Sequence, residues 1–152
     1  MRRPIVLLLT IALSVSAASA HAAGKIFKVL PQYLDLKGRA SLTPSLYDRD
    51  AYQSYLLKTP DERSGVQFKV YWRSANKGTL KLRVETRGSA QDVKAHPILV
   101  WERSVEHTVL FARWTNIILT GDDYRNLGTV TAWRVTLWDG DQLLSEQKSF
   151  LW

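Results

Sequence analysis

Apolar residues at every second position dominate this chain and narrow its fold more than any other feature. Val66, Phe68, Val70 and Trp72 alternate with Gln67, Lys69 and Tyr71, and Leu80, Leu82 and Val84 alternate with Lys81, Arg83 and Glu85. Successive side chains of a strand point to opposite faces, so each run predicts a strand with one buried face and one wet face. The turn-forming stretch Ser74-Ala75-Asn76-Lys77-Gly78 lies between them, and the pair reads as a β-hairpin. In that register Trp72 faces Leu80, Val70 faces Leu82 and Phe68 faces Val84, which sets Lys69 directly opposite Arg83.

A second hairpin closes the chain. Thr131, Trp133, Val135 and Leu137 share one face, and Asp139-Gly140-Asp141 supplies a tip tolerant of positive φ. The returning segment is polar through Ser145-Glu146-Gln147-Lys148-Ser149, the composition of a sheet edge that resists pairing with other molecules. Shorter strands are expected at Lys25 to Leu30, Tyr33 to Leu36, Ile98 to Glu102, Thr108 to Ala112 and Thr115 to Thr120. Ser45-Leu46-Tyr47-Asp48 has the S-x-x-D form of a helix start, and Thr59-Pro60 a stop. The helix between them is expected to bury Tyr47, Ala51, Tyr55 and Leu56. Gly121 to Gly128 reads as a single helical turn. Seven or eight short strands in this length predict an all-β fold, an immunoglobulin-like antiparallel β-sandwich with one short helix. An eight-stranded membrane barrel fits poorly. Counted back by twos from Trp152, its outward residues would include Lys148 and Glu146, which are costly in hydrocarbon.

The amino-terminal segment has a different character. Arg2 and Arg3 precede an apolar run from Ile5 to Val15, and Ala17-Ala18-Ser19-Ala20-His21-Ala22-Ala23 follows. That order is the pattern of a secretory signal peptide spanning 1–22, cleaved after Ala20 or Ala22. A single domain over 23–152 remains, large enough to bury a core without staples. The chain is expected to be secreted or periplasmic and not membrane-spanning after cleavage. It has no cysteine, so neither a disulfide framework nor a thiolate metal site is available. Losing Arg2 and Arg3 takes 21 Lys and Arg to 19, against 14 Asp and Glu, leaving a net +5. That balance favours anionic partners. No Lys/Arg-rich run points to nucleic acid.

Three constellations are candidates for function. The first is the polar face of the central hairpin, where Lys69, Tyr71, Arg73, Lys81 and Arg83 form a basic platform. Like charges opposite one another on a ladder are destabilising, so a Lys69–Arg83 pair implies a use for the charge. The second is aromatic. Among six Trp, Trp72 and Trp133 lie in phase with the core, while Trp138 falls on the opposite face at a hairpin tip. Trp101 and Trp114 stand beside Glu102 and Arg113. Exposed indoles stack on sugar rings and keep an N–H for hydrogen bonding, and carbohydrate-binding sandwiches resemble this arrangement. The third is His21, which would become an amino-terminal histidine if cleavage follows Ala20. A free amine and an imidazole on one residue suit Cu(II), with His96 or His107 as second ligand; lytic polysaccharide monooxygenases and periplasmic copper carriers resemble this at their start.

No G-x-S-x-G elbow, phosphate loop or H-E-x-x-H motif occurs. The sequence therefore predicts a non-catalytic binding or accessory module without a cofactor. Its partner is an anionic envelope polymer or glycan. The alternative is another envelope protein, held through the helix or a sheet edge in a structural or assembly role.

Overall fold

The computed structural model describes residues 24–76, 78–89, 98–106 and 111–152. The signal-like segment with His21, together with His96 and His107, lies outside them, as does most of the strand expected at Thr108 to Ala112. Phe111 and Ala112 are not in a strand.

The described residues form seven strands and two α-helices, with a 3₁₀ turn at Pro60–Glu62. The strands are β1 (Gly24–Asp35), β2 (Arg63–Ser74), β3 (Thr79–Gly88), β4 (Leu99–Glu106), β5 (Arg113–Thr120), β6 (Val130–Asp139) and β7 (Gln142–Lys148). The helices are α1 (Leu46–Lys58) and α2 (Gly121–Leu127). The two expected amino-terminal strands are one continuous β1, and the turn expected near Gly121 is a seven-residue helix that buries Tyr124 and Leu127. Two antiparallel sheets, ordered β1-β2-β5 and β4-β3-β6-β7, make the expected immunoglobulin-like sandwich. In constant-type immunoglobulin domains the fourth strand joins the sheet of the first two; here β4 extends the sheet of β3.

The central hairpin is where the structure departs from the sequence reading. β2 pairs with β1 and β5, and β3 pairs with β4 and β6, so the two strands belong to different sheets. Phe68, Val70 and Trp72 point into the core from one sheet, and Leu80, Leu82 and Val84 point into it from the other; all are essentially buried. Each fully buried side chain of this size contributes about 1.5–3 kcal/mol. Their alternation was read correctly, but the segment after Ser74 crosses between layers instead of turning back within one. A strand facing a second sheet needs the same one-sided pattern as a strand in a hairpin. The closing hairpin, by contrast, forms as expected: Asp139 pairs with Gln142, and Gly140 at φ +55° takes the first loop position, the glycine-first arrangement of a type II′ turn.

The exposed edge of β1 is closed by side chains. The Gln53 amide of α1 accepts from Tyr33 N–H at 2.7 Å and donates to the Tyr33 carbonyl at 2.9 Å, in place of a neighbouring strand. Two residues away, Pro31 has no N–H to leave unpaired, which suits an edge strand. At the other end of β1, Ile26 N–H donates to Ser145 Oγ at 3.0 Å, and Gln147 Nε2 donates to the Phe27 carbonyl at 3.2 Å. At the far edge of that sheet, Arg103 donates to the Asn116 carbonyl of β5.

Candidate ligand-binding face

The sandwich divides the five residues expected to form one basic platform, and places the aromatic candidate Trp138 with one half of them. Lys69, Tyr71 and Arg73 point outward from β2, and Lys81, Arg83 and Trp138 point outward from the opposite sheet. Lys69 pairs with Leu30 and Asn116, whereas Arg83 pairs with Glu102 and Thr136. The Lys69–Arg83 contact expected from the sequence therefore does not exist. The two cations stand on opposite faces of the molecule, and the expected site is split in two.

On the outer face of β4-β3-β6-β7 most of the cations stand beside carboxylates. Lys81 Nζ lies 3.1 Å from Glu102, Arg83 lies 3.6 Å from Glu85, and Arg134 Nε donates to Glu85 at 2.6 Å. Arg134 also approaches Glu146 at 3.8 Å. The hydrogen bond to Glu85 holds the Arg134 guanidinium above its ordinary pKa, against the opposing effect of burial. The ring of Trp152 lies between Arg87 and Arg134, with guanidinium carbons 4.6 and 5.0 Å from its centroid. Trp138 Nε1 donates to Thr136 Oγ1 at 2.8 Å. A cleft of about 170 Å³ is lined by Lys81, Arg83, Glu102, Trp138, Gly140 and Asp141, and it mixes both signs of charge. Nothing there selects an anion.

The outer face of β1-β2-β5 is different. Lys25 on β1 lies directly opposite Arg73 on β2, a like-charge pair on the ladder. This pair stands where the sequence led one to expect Lys69 opposite Arg83. Between β1 and β5 runs a row of three aromatic rings. Phe27 and Tyr71 have centroids 5.6 Å apart, and Tyr71 stacks on Trp114 at 5.0 Å with 28° between planes. Phe27 is 39% exposed and Trp114 46%. Cations stand at both ends of the row. Lys25 and Arg73 lie 5.5 and 5.9 Å from the Phe27 centroid, and Lys69 lies 5.9 Å from that of Trp114. Among the described residues, no carboxylate lies within ion-pair distance of Lys25, Lys28, Lys69 or Arg73.

Sequence reading missed Lys25 and Phe27 here because it had no register for β1. A bulge at Phe27 breaks the alternation, so Lys25, Phe27 and Lys28 are all exposed instead of dividing between two faces. The signal for Trp114 was present: an indole next to Arg113, out of phase with Ile117 and Leu119.

Asp35 is the carboxylate whose acidity the fold changes most clearly. Burial on its own would raise the pKa. That effect is outweighed by hydrogen bonds from Arg39 N–H and Nε, Tyr52 OH and Lys37 N–H, at 2.8 to 2.9 Å, which bring it down to about 2. A carboxylate held ionised by so many donors anchors a turn; it has no proton to give near neutral pH. Among the described residues, no three of His, Cys, Asp and Glu converge on a point that could hold a metal ion. No described helix is long and apolar enough to cross a membrane.

No family model matches the chain, and no curated protein matches it in sequence. Among solved structures it is similar to a selenomethionine-labelled β-glucosidase from Kluyveromyces marxianus. The identity is 16% and the TM-score 0.36, over 57% of this chain and 12% of that one. This chain thus spans a small part of the length of the protein it matches.

Proposed function

We propose that this protein is an exported, non-catalytic binding module of the cell envelope that holds an anionic polymer against the outer face of β1-β2-β5. The observation that carries this reading is the Lys25–Arg73 pair beside the Phe27–Tyr71–Trp114 row, with no described carboxylate to offset it. Folding alone would be served better by an acid opposite Arg73. Cation–π contacts at exposed rings supply only about 0.5–1 kcal/mol each, so these cations can leave the rings for an incoming anion at little cost. The cationic balance of the chain brings polyanions toward the molecule, and the aromatic row gives them exposed rings to lie against.

The test is retention on an immobilised polyanion such as dextran sulfate. The wild-type protein should bind at low ionic strength and elute as salt screens the contact. Arg73→Glu with Lys25→Glu should pass through unretained while its circular dichroism stays that of the wild type. Retention of that folded double variant at wild-type salt would reject the proposal.

A second reading has one observation in its favour. Leu46 and Tyr47, the first two residues of α1, are exposed, Tyr47 at 83%, as is Leu42 in the segment before it, and exposed apolar side chains of this kind suit a protein partner in an assembly role. Leu46→Asp with Tyr47→Asp should then abolish co-purification of that partner and leave polyanion retention unchanged. The sheet edges of β1 and β5 favour this reading less, since side chains already occupy them.

A further inference from the structure

Resting on the reading above, we infer that the polymer taken by this face is a polysaccharide bearing carboxylates on its sugar rings, a uronate polymer. Three features of the face combine to select it. The aromatic row crosses all three strands, Phe27 on β1, Tyr71 on β2 and Trp114 on β5, so a ligand lying across the sheet meets the three rings in turn. Sugar rings match such a surface through their apolar C–H faces.

Polar donors stand beside that surface. Tyr71 OH and Trp114 Nε1 make no hydrogen bond to any described protein group, whereas the buried Trp72 Nε1 donates to Thr115 Oγ1 at 2.9 Å. A ligand rich in hydroxyl and carboxylate oxygens gives these two donors acceptors. A hydrocarbon surface does not.

Charge is the third feature. Cations flank both ends of the row, Lys25 and Arg73 at Phe27 and Lys69 at Trp114. A polymer with a carboxylate attached to each ring keeps every charge close to the ring that stacks, within reach of these side chains. The planar guanidinium of Arg73 suits a carboxylate in a two-point contact. A neutral glycan leaves all three cations unmatched. A single-stranded nucleic acid stacks its bases on aromatic rings but carries its charge on the backbone, away from the stacking bases, whereas here the cations lie against the rings themselves. A lipid surface calls for protruding apolar side chains, and here cations lie over both outer rings.

The experiment compares binding to polygalacturonate and to its fully methyl-esterified form, read by tryptophan fluorescence and co-sedimentation at low salt. Dextran sulfate, single-stranded DNA and phosphatidylglycerol vesicles serve as the other anionic probes. Esterification should weaken binding by about tenfold or more, the equivalent of about 1.4 kcal/mol. Trp114→Ala and Tyr71→Phe should each weaken binding to polygalacturonate with unchanged circular dichroism, because the first removes stacking area and the second one donor. Equal binding of the acid and ester forms would overturn the inference, as would DNA or vesicles binding as tightly as polygalacturonate. Binding to dextran sulfate without binding to polygalacturonate would overturn it too, while leaving the anionic-polymer reading in place. Binding to none of the polyanions would remove both.

Discussion

Asp35 illustrates how much one side chain can organise when the backbone brings donors to it. It ends β1, accepts from the backbone of the following turn at Lys37 and Arg39, and takes the Tyr52 hydroxyl of α1 at 2.8 Å. Its carboxyl titrates at about 2 when folded, below the ordinary 3.8. Between those values the unfolded chain binds the proton that the folded chain refuses. The stabilisation from Asp35 is therefore complete above about pH 4 and is lost as pH falls toward 2. Asp35→Asn keeps the shape but sets an amide N–H against donors from Arg39 and Tyr52. Urea unfolding should show the variant about 2–4 kcal/mol less stable than wild type at pH 7. The gap should narrow as both proteins are acidified from pH 4 to pH 2. A gap independent of pH would show that the carboxylate charge is not what the turn depends on.

At the scale of the element, α1 separates what a sequence pattern announces from what it withholds. Its boundaries were legible: Ser45 caps it by accepting from Asp48 N–H, and Thr59 follows the last turn with its N–H donated to the Tyr55 carbonyl. Its buried face was not. The expected stripe of Tyr47, Ala51 and Tyr55 is exposed, and the docked side is Tyr52, Gln53 and Leu56, of which Leu56 alone is fully buried. Apolarity could not reveal this, because the helix is held to the sheet by polar groups. Gln53 stands in for a strand, Tyr52 reaches Asp35, and Arg63 donates to the carbonyls of Leu56 and Leu57 at its end. Two substitutions should separate capping from docking. Ser45→Ala should cost about 1 kcal/mol and leave the β1 edge intact. Gln53→Ala should lower the hydrogen-exchange protection of the Tyr33 amide specifically, because that N–H loses its acceptor. Unchanged protection at Tyr33 in Gln53→Ala would mean the edge is closed by something other than this side chain.

Across the whole molecule, the hidden quantity was which strand lies beside which. Alternation in β2 and β3 revealed that Val70 and Leu82 are buried, and they are, but it is blind to whether they meet within a layer or across the gap between two. The closing hairpin escaped this ambiguity because Gly140 leaves a two-residue loop too short to cross the sandwich. The same blindness divided the candidate site: residue type was readable from the sequence, but adjacency was not. Lys69 therefore shares its face with Trp114, and Arg83 shares the opposite one with Glu85 and Glu102. Substitutions at positions this far apart with no common partner should add without coupling. Lys69→Glu should reduce polyanion retention and leave stability nearly unchanged, since among the described residues this cation has no carboxylate partner to lose. Arg83→Glu should leave retention intact and lower stability, because it places a third acid among Glu85 and Glu102. The double variant should show the sum of the two effects in both measurements. A non-additive loss of retention would put Lys69 and Arg83 in one binding site after all, as the hairpin pairing would have done and the sandwich forbids.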